Sequence, residues 1–257
     1  FWRHAPWPLL WKRKVMAIKR AMVLAAGMGT RLRPLTEEMP KSLAPLAGRP
    51  LIHYALRWLR GQGVTEAVVN AHYMADMLCD ALGHGEGLGL DIVFSREDEL
   101  LGTGGGIGKA APLFHGESIA LTNADTLIDA DLAAISLEHA ERGADATLVA
   151  VELYQPEEYT PVWIDKGGNV REFGGDGGPG LTPVVYTGLS VLGPAITGRL
   201  PADRFACLVK DGLVPAISEG KTVTAHVHRG YWKGLDTMER IEEAEEDIRK
   251  GVFSAPS

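Results

Sequence analysis

Cysteine is nearly absent: the 257 residues hold two, Cys79 and Cys207, isolated from one another. That spacing excludes a zinc module and a disulfide scaffold, and it suits the reducing cytoplasm. No apolar run approaches the roughly 18–20 residues needed to cross a bilayer, so no membrane partner is expected. Positive charge is also scarce. With 26 Lys and Arg against 33 Asp and Glu the net charge is −7, the reverse of the basic footprint left by nucleic-acid binding. Internal repeats and a hexapeptide pattern are missing as well. What remains is 46 % hydrophobic residues, enough for one large core.

Residues 1–15 lack any acidic side chain and carry Trp2, Trp7 and Trp11. The apolar part is too short and too broken by Pro6 and Pro8 for a signal peptide. Met16 is the expected natural start, with residues 1–20 an extension whose tryptophans seek burial, on this chain's own surface or in a homodimer contact.

From residue 21 onward strand-like and helix-like segments alternate. Strands are expected at 22–25, 67–70, 92–95 and 118–121, and helices at 51–60, 75–82, 106–111 and 131–142, the last capped by Asp129 or Asp131. Such alternation predicts an α/β fold, Rossmann-like and three-layered (α/β/α), with a mostly parallel mixed sheet that places ligands at the carboxyl ends of its strands. The second half predicts strands at 146–152, 162–165, 170–173, 184–192 and 222–227. A hairpin turn lies at 166–169, a helix interrupted by Pro215 at 207–218, and a closing helix at 235–250. One domain, 21–250, would then divide into halves at 21–145 and 146–250, followed by a tail at 251–257.

The apolar run 22–26 ends in Gly27-Met28-Gly29-Thr30-Arg31. Glycines at a strand end let backbone approach a ligand, and successive N–H groups there form an anion nest. Arg31 and Arg33 add guanidinium donors, and Lys41 follows the stiffening Pro40. A dinucleotide fingerprint fails, because Leu32 replaces its third glycine. A Walker loop fails too: before Gly108-Lys109, Thr103 takes the first glycine's place, and Ala110 follows. A second feature is Leu121-Thr122-Asn123-Ala124-Asp125, a strand delivering a carboxylate suited to a hard cation.

The run Ala26-Gly27-Met28-Gly29-Thr30-Arg31-Leu32-Arg33-Pro34-Leu35-Thr36 with Pro40-Lys41 resembles the signature of the sugar-1-phosphate nucleotidylyltransferases. The resemblance continues to about residue 240. It implies the nucleotide-diphospho-sugar transferase fold and Mg²⁺-dependent transfer of a nucleotidyl group from an NTP to a sugar 1-phosphate, with pyrophosphate released. In that reading 21–145 binds nucleotide and 146–250 binds sugar. Backbone at Ala26, Gly27, Gly29 and Thr30 would hold the triphosphate. Arg31 and Lys41 would be catalytic, Arg31 on the β and γ phosphates and Lys41 toward the α-phosphate. Gly102, Thr103 and Gly104 fall in a segment similar to the family's base-contacting Leu-Gly-Thr-Ala-Gly loop, with Glu97 and Glu99 just upstream. Asp125 would bind Mg²⁺.

Two departures from the family pattern stand out. The usual Trp-x-Asp-x-Gly-Thr reads Trp232-Lys233-Gly234-Leu235-Asp236-Thr237, so Asp236 is expected as the second metal ligand, with a helix N-cap as its alternative. The usual lysine after Phe173 is absent from 174–180, and Lys233 or Lys210 would have to supply charge beside the sugar-lining Tyr186, Thr187 and Gly188. UTP is favoured on the Thr-Gly-Gly-Gly-Ile similarity to N-acetylmuramate-1-phosphate uridylyltransferases, CTP follows on Asp236-Thr237, and GTP comes third. A cytidylyltransferase for glucose 1-phosphate, phosphocholine or a phosphonate is an alternative, the amine case drawing on Tyr154, Tyr159 and Trp163. A non-catalytic nucleotide-sugar sensor is another.

Overall fold

The computed structural model describes residues 17–152 and 158–256. The tryptophan-rich segment 1–15 and Tyr154, with the expectations resting on them, lie outside the described residues. Among the described residues no helix is long and apolar enough to cross a membrane.

Four strands run parallel as the alternation predicts: β1 (Arg20–Leu24), β2 (Glu66–Ala71), β3 (Asp91–Arg96) and β4 (Ile119–Asn123). Between them come α1 (Leu51–Gly61), α2 (Ala75–Leu82) and α3 (Gly102–Ala110). After β4 follow β5 (Thr126–Ile128), α4 (Leu132–Glu141), β6 (Ala146–Glu152), β7 (Val162–Ile164), β8 (Val170–Phe173) and the long β9 (Thr182–Leu192). A π-helical turn at Leu208–Leu213 leads into α5 (Val214–Ser218), then β10 (Val223–Val227), β11 (Trp232–Gly234) and α6 (Met238–Arg249). The sheet reads β3-β2-β1-β4-β9-β6-β10, with the β7–β8 hairpin attached to the first part of β9. β9 runs antiparallel to β4 and β6, and β10 returns parallel to β6.

Alternation along the strands sorts the core onto two faces. Ala21 and Val23 point to the side covered by α1, α2 and α4, and Met22 points to the side covered by α3 and the 208–218 segment. A third apolar cluster joins Leu32, just past the glycine loop, to Leu127, Leu235, Ile241 and Phe253. It binds the closing helix, and residues just beyond it, onto the loop that the sequence singles out.

Local chemistry explains where elements start. Asp131 caps α4 by accepting from the N–H groups of Ala133 (2.8 Å) and Ala134 (3.1 Å), whereas Asp129 turns to His228 Nε2 at 2.8 Å. The helix expected from residue 235 begins at Met238, because the Thr237 hydroxyl accepts from Arg240 N–H at 3.3 Å and caps it. Pro215, the second residue of α5, lies where the π-helical turn gives way to α-helix, so the helical run expected over 207–218 is present and changes its hydrogen-bonding pattern beside the proline. The helix expected at 106–111 starts four residues earlier, at Gly102, whose φ of +69° suits glycine.

α3 shows how the glycine-rich stretch is used. A Cβ on Gly108 would lie 2.2 Å from the Pro201 carbonyl oxygen and 2.6 Å from that of Leu200, and one on Gly105 would lie 2.4 Å from that of Arg204. The helix therefore presses its bare backbone against 200–208. Gly108→Ala should destabilise the protein by about 1–3 kcal/mol through overpacking, despite alanine's better helix propensity. Gly61→Ala, where a Cβ meets nothing within 4 Å, should be neutral or stabilising. Urea midpoints of the two variants check this, and an undisturbed Gly108→Ala would contradict the packing.

Candidate active site

The carboxyl ends of β1 and β4 open into a cleft of about 380 Å³. Leu24, Leu121 and Asn123 form its floor. Tyr186, Thr187 and Gly188 line one wall, joined there by Trp232, and Thr103 stands with Cys207–Val209 on another. Asp125, Asp236, Arg31 and Arg240 line it too.

β1 ends at Leu24, and the exposed loop beyond it is held at its root. Ala25 N–H donates to Asn70 Oδ1 at 2.7 Å, and Asn70 Nδ2 donates to Glu97 Oε1 at 2.7 Å. Glu97, nearly fully buried, accepts through its other oxygen from Leu101 N–H at 3.0 Å. One buried polar relay thus ties the ends of β1, β2 and β3 to the start of α3. Glu97 is a strut here, with both oxygens engaged inside the protein. Further along, a Cβ on Gly29 would meet Lys41 Cβ at 2.7 Å and Thr36 Cγ2 at 2.9 Å, and its φ is +62°. The Thr36 hydroxyl donates to the Gly29 carbonyl at 2.9 Å. Among the described residues, the backbone N–H groups of Ala26, Gly27, Met28 and Gly29 donate no hydrogen bond within the chain.

Two cation–carboxylate pairs occupy the polar end of the cleft. Lys41 Nζ bonds Asp125 Oδ2, and Arg31 Nη1 bonds Asp236 Oδ2. Lys41 is largely covered, whereas the Arg31 side chain is 68 % exposed and anchored at its guanidinium end alone. The carboxylates are brought together by the backbone. β11 pairs with β5 in the register Gly234 to Thr126, and the next bond runs from Leu235 N–H to the Asp125 carbonyl at 2.8 Å. Asp236 Oδ1 is buried without a hydrogen bond and stands 3.3 Å from Arg240 Nη1. A two-carboxylate donor set with an orphaned oxygen fits a hard divalent cation that completes its shell with phosphate and water.

The wall formed by Tyr186, Thr187 and Gly188 is shaped by an irregularity in β9, whose register against β6 shifts between Tyr186 and Ser190. Gly188 sits in it at φ +89°, where a Cβ would lie 2.5 Å from Asn123 Nδ2. The Trp232 indole N–H donates to the Thr187 carbonyl at 3.2 Å and so ties β11 to this bulge. Burial pushes the Tyr186 hydroxyl up to about 12, so it stays a proton donor, bonded to Ser190 Oγ at 3.1 Å.

The cleft therefore gathers Arg31, Asp125, Asp236, Tyr186, Thr187, Gly188 and Thr103, with Lys41 reaching Asp125. Ala26, Gly27, Gly29 and Thr30 stand in the loop above it. Gly102 and Gly104 do not line it: a Cβ on Gly104 would touch Cys207 and Leu208 backbone at 3.0 Å, so this glycine serves helix packing. Lys210 does not line it, and the Lys233 ammonium is turned away. It follows Trp232 on the other side of β11 and bonds Asp247 (2.7 Å) and Glu243 (3.2 Å). Trp163 is likewise engaged elsewhere, its indole N–H donating to the Gly174 carbonyl at 2.9 Å. Arg240, which no motif marks in the sequence, enters the cleft because α6 folds back over it.

Comparison with known proteins agrees with this architecture. The Nucleotidyl transferase family model matches residues 20–251. The chain is 33 % identical over 233 residues to the N-acetylmuramate alpha-1-phosphate uridylyltransferase of Neisseria meningitidis, covering 88 % of this chain and 96 % of that protein. It is 29 % identical over 238 residues to the mannose-1-phosphate guanylyltransferase of Mycobacterium tuberculosis, covering 92 % of this chain but 66 % of that protein. Thus it spans about two thirds of the mycobacterial relative's length. A crystal structure of HddC from Yersinia pseudotuberculosis complexed with GMP-PN shares the fold, with a TM-score of 0.76, 24 % identity, and coverage of 90 % of this chain and all of that one.

The Lys233 pairing carries a pH signature. Burial lowers the Lys233 ammonium, but hydrogen bonds to Asp247 and Glu243 outweigh it and hold the pKa above 10.5. The hydrogen bond from Lys233 holds Asp247 below 3.8. A carboxylate depressed in this way contributes stability that is complete above its unfolded pKa and lost as pH falls through the folded one. Lys233→Met should cost about 1–3 kcal/mol at pH 7, and the gap to the wild type should narrow below pH 3.8. Urea unfolding at neutral and acid pH tests this, and an equal loss at both would contradict it.

Proposed function

The chain belongs to the nucleotidyl transferase family, and we propose that it transfers a nucleotidyl group from an NTP, UTP first, to a sugar 1-phosphate. Pyrophosphate is the second product. The observation that carries this reading is the pair of cation–carboxylate contacts, Lys41–Asp125 and Arg31–Asp236, beside four backbone N–H groups with no partner among the described residues. Substrates can replace both contacts at once. Triphosphate oxygens take the loop N–H groups, Arg31 and Lys41, and the freed carboxylates become ligands.

The acceptor's phosphate oxygen forms a bond to the α-phosphorus while the bond to the bridging oxygen breaks and pyrophosphate leaves. Such a displacement needs alignment and charge stabilisation more than covalent help. Lys41, pressed against Gly29 and largely covered, supplies a fixed positive charge for the α-phosphate, and Arg31 follows the β and γ phosphates. Asp125 and Asp236 would hold Mg²⁺, which when bound neutralises phosphate charge. Tyr186, Thr187 and Gly188 would face the acceptor with an aromatic ring and close backbone, the Tyr186 and Thr187 hydroxyls being engaged with Ser190 and the Val149 carbonyl. Thr103 stands across from them, on the side proposed for the base.

UTP is favoured because the neisserial relative, a uridylyltransferase by name, matches along nearly its whole length. GTP is the second reading, on the mycobacterial guanylyltransferase. Pyrophosphate release with Mg²⁺ should depend on a sugar 1-phosphate and on one nucleotide among UTP, GTP, CTP, ATP and dTTP. Preference for GTP would replace UTP in the reading. Release that required phosphocholine would move the acceptor class. Lys41→Ala should lower kcat by about 10²–10³-fold with the fold intact, and Asp125→Asn should lose activity and alter the Mg²⁺ requirement. Wild-type rates in both variants would overturn the assignment.

A further inference from the structure

We propose that Arg240 binds the phosphate of the acceptor and so determines acceptor affinity, an inference that rests on the transferase reading above. The reaction brings a phosphomonoester dianion against a triphosphate that already engages Arg31 and Lys41. Those cations and a bound Mg²⁺ would be shared with the triphosphate, so a further cation on the acceptor's side offsets the remaining repulsion between the two anions. Among the described residues lining the cleft, the guanidinium groups are those of Arg31 and Arg240. They flank one carboxylate: Arg31 takes Asp236 Oδ2, and Arg240 Nη1 stands 3.3 Å from Asp236 Oδ1.

Arg240 comes from the first turn of α6, on the acceptor side. Thr187 is bonded by the Trp232 indole, Tyr159 packs against Trp232 with ring centroids 5.5 Å apart, and the Arg240 guanidinium lies 5.4 Å from the Tyr159 ring centroid. A continuous aromatic wall therefore runs from the bulge in β9 to this guanidinium. Glu158 accepts from Nη2 at 2.5 Å and fixes the plane of the fork. The close approach of Nη1 to Asp236 Oδ1 lacks hydrogen-bond geometry, and Oδ1 is buried with no hydrogen bond at all. The guanidinium also engages Tyr159, and its Nη1 edge, beside Asp236 in the cleft lining, can exchange that carboxylate for a phosphate, which a planar fork suits. Arg240 keeps its proton throughout: the acceptor oxygen bonds to the α-phosphorus, the bond to pyrophosphate breaks, and the guanidinium only holds charge in place.

Initial-rate kinetics of Arg240→Ala and Arg240→Lys test this with the NTP and sugar 1-phosphate that the wild type turns over best. The alanine variant should raise the acceptor KM by about tenfold or more while leaving the NTP KM within about twofold, because a bidentate phosphate contact is lost on one substrate alone. Lysine, a point charge without the fork, should fall between the two. Melting temperature and its rise with NTP serve as folding controls. If alanine at this position does not fold, the lysine variant carries the test with the same KM split. An unchanged acceptor KM, or an equal rise in both KM values, overturns the inference alone. A wild type that releases no pyrophosphate with any acceptor overturns the transferase reading and this inference with it.

Discussion

Two carboxylates placed side by side, each against a cation from the opposite rim, are the constraint around which this molecule is built. Asp125 and Lys41 are 84 residues apart in sequence, and Asp236 and Arg31 are 205 apart. Contacts between such distant segments carry a large ordering cost, which local propensity cannot offset. The fold meets that cost with burial. β11 hydrogen-bonds to β5 so that Asp236 follows Asp125 across a two-stranded ribbon, and the cluster of Leu32, Leu127, Leu235, Ile241 and Phe253 seals loop, ribbon and closing helix together. The charged groups need no strength of their own for this. Apolar packing sets their positions, and pairing spares the largely covered Lys41, Asp125 and Asp236 the penalty of standing alone.

The supports behind the cleft follow the same logic on a smaller scale. A nearly fully buried carboxylate, Glu97, would be costly if unsatisfied. Here both its oxygens accept hydrogen bonds, and through Asn70 it reaches the first amide of the exposed loop. Of the four loop N–H groups without a partner among the described residues, those of Gly27 and Met28 belong to exposed residues, while the strand ends beneath them are locked. α3 contributes rigidity differently, by removing side chains. With glycine at 104, 105 and 108 its backbone lies flush against 200–208, so Thr103 and Leu208 are joined by a 2.9 Å hydrogen bond at the cleft wall.

The central strands and most helices were legible in the sequence because they depend on local patterning. Period-two apolar runs, proline before α1 and aspartate before α4 each act within a few residues. That the glycine loop after β1 stands at the cleft was legible for the same reason, its glycines and cations being contiguous. What escaped depends on long-range geometry. Gly104 reads as a ligand-contacting glycine until the backbone of 206–208 is seen pressed against it. Lys233 reads as a free cation because nothing in sequence reveals that α6 brings Asp247 to it. Arg240 sits in an ordinary charged helix and acquires a role only when that helix closes over the cleft. Glu97 carried no mark of burial, since charged residues are almost never buried without a partner and its partner, Asn70, lies 27 positions away.

The central claim is that substrates exchange partners with the two ion pairs. A crystal structure with Mg²⁺ and a non-hydrolysable UTP analogue, or the GTP analogue if that base is preferred, tests it directly. The account predicts Lys41 and Arg31 on phosphate oxygens, with Asp125 and Asp236 released to the metal. A nucleotide seated in the cleft with Lys41–Asp125 and Arg31–Asp236 both intact would contradict it.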